Sequence, residues 1–190
     1  MRTTENSSQG LFLRATSLRG LPLSHRQANA GTVTGLIYDH IRKQVTHLKL
    51  ASRVDGEVVA VPLREVDFRR VGQNELRVPA LNVWEKLPET YPPVDKLTVK
   101  SQSRTDTVFV HDVWFNPQTG KIDSYELGLL PRKASSMPSL CVKASQLAFE
   151  DGQLLAADEL LGALSATFNL SVGLSRPLAR WSTAYTGHLA

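Results

Sequence analysis

Cysteine is almost missing from this chain. Cys141 stands alone among 190 residues, so no internal disulfide can form, and this usage suits a reducing compartment. There is no Cys-x-x-Cys and no His-x-x-x-His. The five histidines, His25, His40, His47, His111 and His188, are scattered, which argues against a zinc site. Both glycine-rich phosphate cradles, Gly-x-Gly-x-x-Gly and Gly-x-x-x-x-Gly-Lys-Ser/Thr, are absent. No apolar run approaches the roughly 20 residues that cross a bilayer. The opening MRTTENSSQG is polar and unlike a signal peptide. Blocks of five or more like charges are missing too, so the formal charge of +4 does not mark a nucleic-acid arm. These absences lead to the expectation of a soluble, cytoplasmic protein with no metal, no cofactor and no catalytic constellation.

What is present is apolar material in short pieces. Hydrophobic residues make up 42% of the chain, enough for a packed core and too much for general disorder. From Gly10 onward, runs such as LFLRATSLRGLPL, TVTGLIYD, VTHLKLA, EVVAVPLREVDF and NELRVPAL alternate with turn letters and lack a 3.6-residue period. The reading is all-β. Between Trp84 and Val94, Pro88, Pro92 and Pro93 fix φ and remove donors, which suits a stiff connector.

After the connector the pattern returns in register. TVTGLIYDHIRKQVTHLKL lies over FVHDVWFNPQTGKIDSYEL without a gap, at an offset of 77 residues (110 − 33). Val33 falls on Val110, Leu36 on Val113, Ile37 on Trp114, Tyr38 on Phe115, Val45 on Ile122 and Leu50 on Leu127. Further on, VPLREVDF lies over VKASQLAF at an offset of 81 (142 − 61), which places an insertion around LLPRKASSMP. The chain reads as two copies of one small β unit. The expected segments are a flexible start over 1–10, a first unit over 11–86, a connector over 87–95, a second unit over 96–155, and a short helix plus tail over 156–190. In AADELLGALSATF, Leu160, Leu161, Leu164 and Phe168 share one helix face, with Asp158 and Glu159 near its N-terminus.

The polar letters invite functional readings. Cys141, between Leu140 and Val142, reads as a small buried hydrophobe. His47 reads as an outer-face or packing residue. His111 and Asp112 are strand neighbours expected on opposite faces, which argues against cooperation. Asp39 and Asn116, at matching hairpin ends, read as turn-closers. Trp114, Arg176, Arg180, Trp181 and Tyr185 are candidate partner-binding residues, since Trp, Tyr and Arg dominate hot spots.

GTVTGLIYDHIRKQVTHLKLA followed by EVVAVPLREV resembles the PRC-barrel, the small β-barrel of the cytoplasmic domain of the photosynthetic reaction-centre H subunit. The matching letters are Gly31, Val33, Leu36, Ile37, Asp39, Val45, His47, Leu48, Val61, Pro62, Leu63 and Val66. The second copy is similar over VHDVWFNPQTGKIDSYEL but has VKASQL where the family has Val-Pro-Leu. The resemblance spans about residues 11 to 155 and implies two tandem small β-barrels, marginal alone and stabilised by packing together or by a homodimer. It implies a protein-binding scaffold of a photosynthetic complex or its assembly, cytoplasmic and peripheral to the membrane. Ribosome-maturation factors also carry a PRC-barrel. That alternative implies an RNA footprint of Arg42, Lys43, Arg53, Arg64, Arg69 and Arg70, although this chain lacks their separate N-terminal domain.

Overall fold

The computed structural model describes residues 11–26, 28–52, 56–80, 84–87, 92–101, 103, 108–129 and 139–171, without the side chains of 167–171. The described chain is predominantly β, with one α-helix. Its first half holds β1 (Leu13–Arg14), β2 (Pro22–His25), β3 (Ala28–Asp39), β4 (Gln44–Ser52), β5 (Val58–Pro62) and β6 (Leu76–Arg77). The second holds β7 (Thr98–Lys100), β8 (Val108–Phe115), β9 (Ile122–Gly128), β10 (Leu140–Lys143), β11 (Leu147–Glu150), β12 (Gln153–Ala156) and α1 (Asp158–Ser171).

Two sheets form. One runs β5-β4-β3-β2-β6; the other runs β10-β9-β8-β7-β12-β11, with β1 added to β8. The registers repeat at the sequence offset. Val33 faces Leu50 as Val110 faces Leu127, and Tyr38 faces Val45 as Phe115 faces Ile122. The ladder irregularities coincide as well. A bulge lies between Val33 and Gly35 and again between Val110 and Asp112; a second lies between Ile37 and Tyr38 and again between Trp114 and Phe115. Bulges bend and twist a strand, so repeating them curls both hairpins in the same way. The larger offset holds in β10, where Val142 faces Tyr125 as Val61 faces Leu48.

The long β-rich run EVVAVPLREVDF is broken. After Pro62, residues Leu63–Glu65 make a 3-10 turn, matched in the second half by Ala144–Gln146. Pro62 ends an edge strand, where its missing donor costs no inner ladder bond.

One contiguous cluster of buried apolar side chains runs through both sheets, from Leu18, Leu23 and Val33 to Val110, Phe115 and Tyr125. The two halves therefore share burial, which relieves the small-core problem of a unit this size. Leu161 and Leu164 of α1 enter the same cluster and Leu160 packs on it, as the helical spacing predicts; the Phe168 side chain lies outside the description. Among the described residues no helix is long and apolar enough to cross a membrane.

Candidate functional site

The two hairpins meet turn to turn. Val45 N–H donates to Gly120 O at 2.8 Å, and Ile122 N–H donates to Lys43 O at 2.9 Å. Val45 and Ile122 are repeat equivalents, and so are Lys43 and Gly120, so one bond is the image of the other. Gln44 Nε2 adds a bond to Thr119 O at 2.8 Å. Asp39 Oδ1 accepts from Arg42 N–H, and Asn116 Oδ1 accepts from Gln118 and Thr119 N–H, so both turns are side-chain closed as the sequence suggests.

A charged cluster joins the chain start to the second sheet. Arg14 Nη2 donates to Glu126 Oε2 at 2.6 Å, and its Nε lies 2.8 Å from Asp112 Oδ2 as an ion pair without hydrogen-bond alignment. Asp112 is fully buried. Its Oδ1 also accepts from Thr16 N–H at 3.1 Å and Val113 N–H at 2.9 Å, while the Thr16 hydroxyl donates to Oδ2. Ser139 Oγ donates to Glu126 Oε1. The first-half equivalents of Asp112 and Glu126 are Gly35 and Lys49, so the cluster belongs to one half only. It clamps β1 rather than exposing a reactive group.

The bulge also changes the expected geometry of His111. His111 is the extra residue between the paired positions Val110 and Asp112, so simple alternation fails, and both His111 and Asp112 are buried. The His111 ring lies over Gly128, where an added Cβ would sit 2.0 Å from it.

His40, fully buried, links the halves. Its Nε2–H donates to Pro92 O at 3.0 Å. Its ring stacks on Tyr38 at 5.4 Å and tilts against Phe149 at 5.1 Å. Burial lowers its pKa below the ordinary histidine value, against the Pro92 bond that raises it. Burial, helped by the Asp112 carboxylate, holds the Tyr38 phenol well above its usual range. Burial does the same for Tyr125. Burial is the largest cause of the shift in all three groups. His47 on β4 has its Nε2 3.3 Å from Glu85 Oε2 and its Nδ1 2.9 Å from Thr46 Oγ1.

Among the described residues, two hollows open to solvent stand out. The larger, about 610 Å³, has a polar rim of Lys43, Gln146, Glu150, Asp158 and Glu159. The other, about 380 Å³, lies beside β3. Its floor holds the buried Leu36, Ile37 and Tyr38, and its rim holds Arg19, Lys49, Leu87, Pro93, Asp95 and Lys96. It sits on the strand positions equivalent to those that β1 covers on β8.

The sequence-derived candidates scatter. Trp114 pairs across from Arg14 of β1 and is half-buried, with its Nε1 enclosed. Arg176, Arg180, Trp181 and Tyr185 lie outside the described residues, as does Arg53. Four of the basic candidates are matched by acids: Arg42 with Asp39 at 3.7 Å, Arg64 with Glu65 at 3.4 Å, Arg69 with Asp67 at 2.6 Å and Arg70 with Glu75 at 3.6 Å. The Arg69 bonds pull the Asp67 carboxyl down to about 2. Lys43 lines the larger hollow. Cys141 is exposed on β10, not buried as expected, because it alternates with the buried Val142 and points to the other face of the strand. Among the described residues no cluster of three His, Cys, Asp or Glu could hold a metal ion. Sequence reading missed Arg14, Glu126 and His40. A usable signal existed: the repeat puts acids at Asp112 and Glu126 where the first copy has Gly35 and Lys49.

No protein-family model matches the chain, and no curated protein matches it.

Proposed function

We propose that this chain is a non-enzymatic protein-binding scaffold of two PRC-barrel-like units, and that its partner docks in the hollow beside β3. The observation that carries this reading is the make-up of that hollow. Its floor is apolar, Leu87 projects exposed at its edge, and Arg19, Lys49 and Lys96 outnumber the single acid Asp95. None of the three cations has an ion pair among the described residues. A buried anchor ringed by charge is the usual plan of a binding hot spot, and the charge sign selects the partner. The matching ligand is an extended peptide with a large apolar side chain flanked by acids. Repeating registers and bulges support the duplicated unit. The link to a photosynthetic complex rests on the resemblance alone.

The RNA alternative is weaker. Four of its six arginine and lysine candidates already sit on carboxylates, which phosphate would have to displace.

The test is capture from native extract with the wild type and a Lys49→Glu/Lys96→Glu variant. The reading expects one protein, retained by the wild type and lost by the variant. Equal retention by both would remove the hollow as the site. Salt-sensitive RNA retention with no protein partner would favour the alternative.

A further inference from the structure

The two halves finish corresponding strand edges differently. On β8, β1 adds antiparallel beyond the end of β7, with Leu13 opposite Phe115 and Arg14 opposite Trp114. The first-half equivalents of Phe115 and Trp114 are Tyr38 and Ile37 on β3. β2 pairs with β3 only as far as Thr32, and the backbone bonds continue only to Val33, which bonds Gly20 and Leu21. Among the described residues no backbone pairs with Ile37 or Tyr38 on that side. The open edge borders the hollow of about 380 Å³, a usual size for a ligand cleft. An uncovered edge offers its N–H and C=O groups to an incoming strand.

The charges beside the two edges are opposite. Arg14 of β1 is held by Glu126 and Asp112. Those two acids face each other across β9 and β8, and the facing pair in the first half is Lys49 and Gly35. Lys49 therefore stands where Glu126 meets the added strand. Gly35 leaves open the space on the Asp112 side, since an added Cβ there would meet nothing within 4 Å.

We propose that a segment of the partner protein adds as an antiparallel strand to this β3 edge, in the register that β1 takes on β8, and that its recognition element is an apolar residue followed directly by Asp or Glu. The apolar residue lies opposite Tyr38, as Leu13 lies opposite Phe115 and packs on the shared core. The acid lies opposite Ile37, in the place of Arg14, and pairs with Lys49 as Arg14 pairs with Glu126. Arg19 and Lys96 on the rim favour the same sign. This inference rests on the hollow being the docking site and adds the direction, the register and the order of the two residues that enter it.

The test is an amide NMR titration of the full chain with the synthetic peptide Gly-Ser-Thr-Leu-Glu-Thr-Ser-Gly and its Leu-Arg counterpart. The Leu-Glu peptide is expected to shift the amides of residues 36–38 most and to bind about tenfold more tightly than the Leu-Arg peptide. Lys49→Glu is expected to reverse that preference, and Lys49→Ala to abolish it. Methylating the Leu and Glu amide nitrogens, which removes the ladder donors, is expected to weaken binding about tenfold or more. No binding by the wild type, equal binding of the two peptides, or full binding by the methylated one would overturn the proposal. So would binding that appears only in a Glu89→Lys variant, which would assign the edge to the chain's own connector. A captured partner lost by the Lys49→Glu/Lys96→Glu variant yet not displaced by the Leu-Glu peptide would overturn strand addition and leave the hollow as the docking site.

Discussion

Lys43 and Gly120 are the same residue of the repeat, and each accepts the hydrogen bond that opens the other half's return strand. Both are left-handed, with φ of +54° and +73°. Two turns of one shape therefore grip each other reciprocally, and the junction uses the duplication itself as its lock. Gly120 has no freedom to change, since an added Cβ would lie 2.3 Å from Val45 O.

Gly120→Ala is accordingly expected to destabilise the protein by at least about 2 kcal/mol, combining left-handed strain with a backbone clash. Lys43→Gly, which relaxes the same φ, is expected to change stability by less than about 1 kcal/mol. Urea unfolding of both variants checks the contrast. Similar losses at both positions would show that the junction does not depend on this geometry.

The Arg14 cluster sets a second expectation. Removing one partner of a buried ion pair costs about 3–5 kcal/mol, and Arg14 is about a third exposed, so solvent screening reduces the figure. Arg14→Ala is expected to cost about 2–4 kcal/mol and to release β1, seen as faster amide exchange at residues 13–18. Lys49→Ala, at the first-half equivalent of Glu126, should stay within about 0.5 kcal/mol of wild type.

Strands, turns and their duplication were legible because a two-residue period and turn letters are local signals. The offset that laid Val33 on Val110 is also the one at which the bulges and cross-strand pairs recur. What joins the halves was not legible. β1 is two residues long, too short for any period, and its place on β8 depends on Arg14 finding Asp112 and Glu126 about a hundred residues away. His40 looked like one scattered histidine because Pro92 and Phe149, which enclose it, are distant in sequence. Alternation mispredicted His111 because a bulge inserts an unpaired residue. Cys141 was misread because its apolar neighbour Val142 is buried, and on a strand a buried neighbour turns the residue beside it to the opposite face.

His40 makes stability depend on pH, and the sign follows from its lowered pKa. The unfolded chain takes up a proton on this residue at a higher pH than the folded one, so its contribution is complete above about pH 6.5. It is lost as pH falls through that value toward the folded pKa. Melting temperature should therefore drop between pH 7.5 and 5. His40→Gln should be less stable at pH 7.5 yet show a shallower drop. A variant with the wild-type slope would assign the pH dependence to other groups.

The last expectation concerns a pair of substitutions that the duplication itself supplies. Where the second half has His111 and Gly128, the first has Thr34 and Ala51, at the same bulge and the same facing strand. Thr34 is exposed and leaves room for the Ala51 methyl, whereas the buried His111 ring occupies the space a methyl on Gly128 would need. Gly128→Ala should thus destabilise by about 1–3 kcal/mol through overpacking. Combined with His111→Thr, the same change should cost less than the sum of the two single substitutions, with a coupling of about 1 kcal/mol or more in a double-mutant cycle. Strict additivity would mean that the ring swings aside without cost. Coupling would show that the residue at the bulge and the residue on its facing strand are matched in size within the second half.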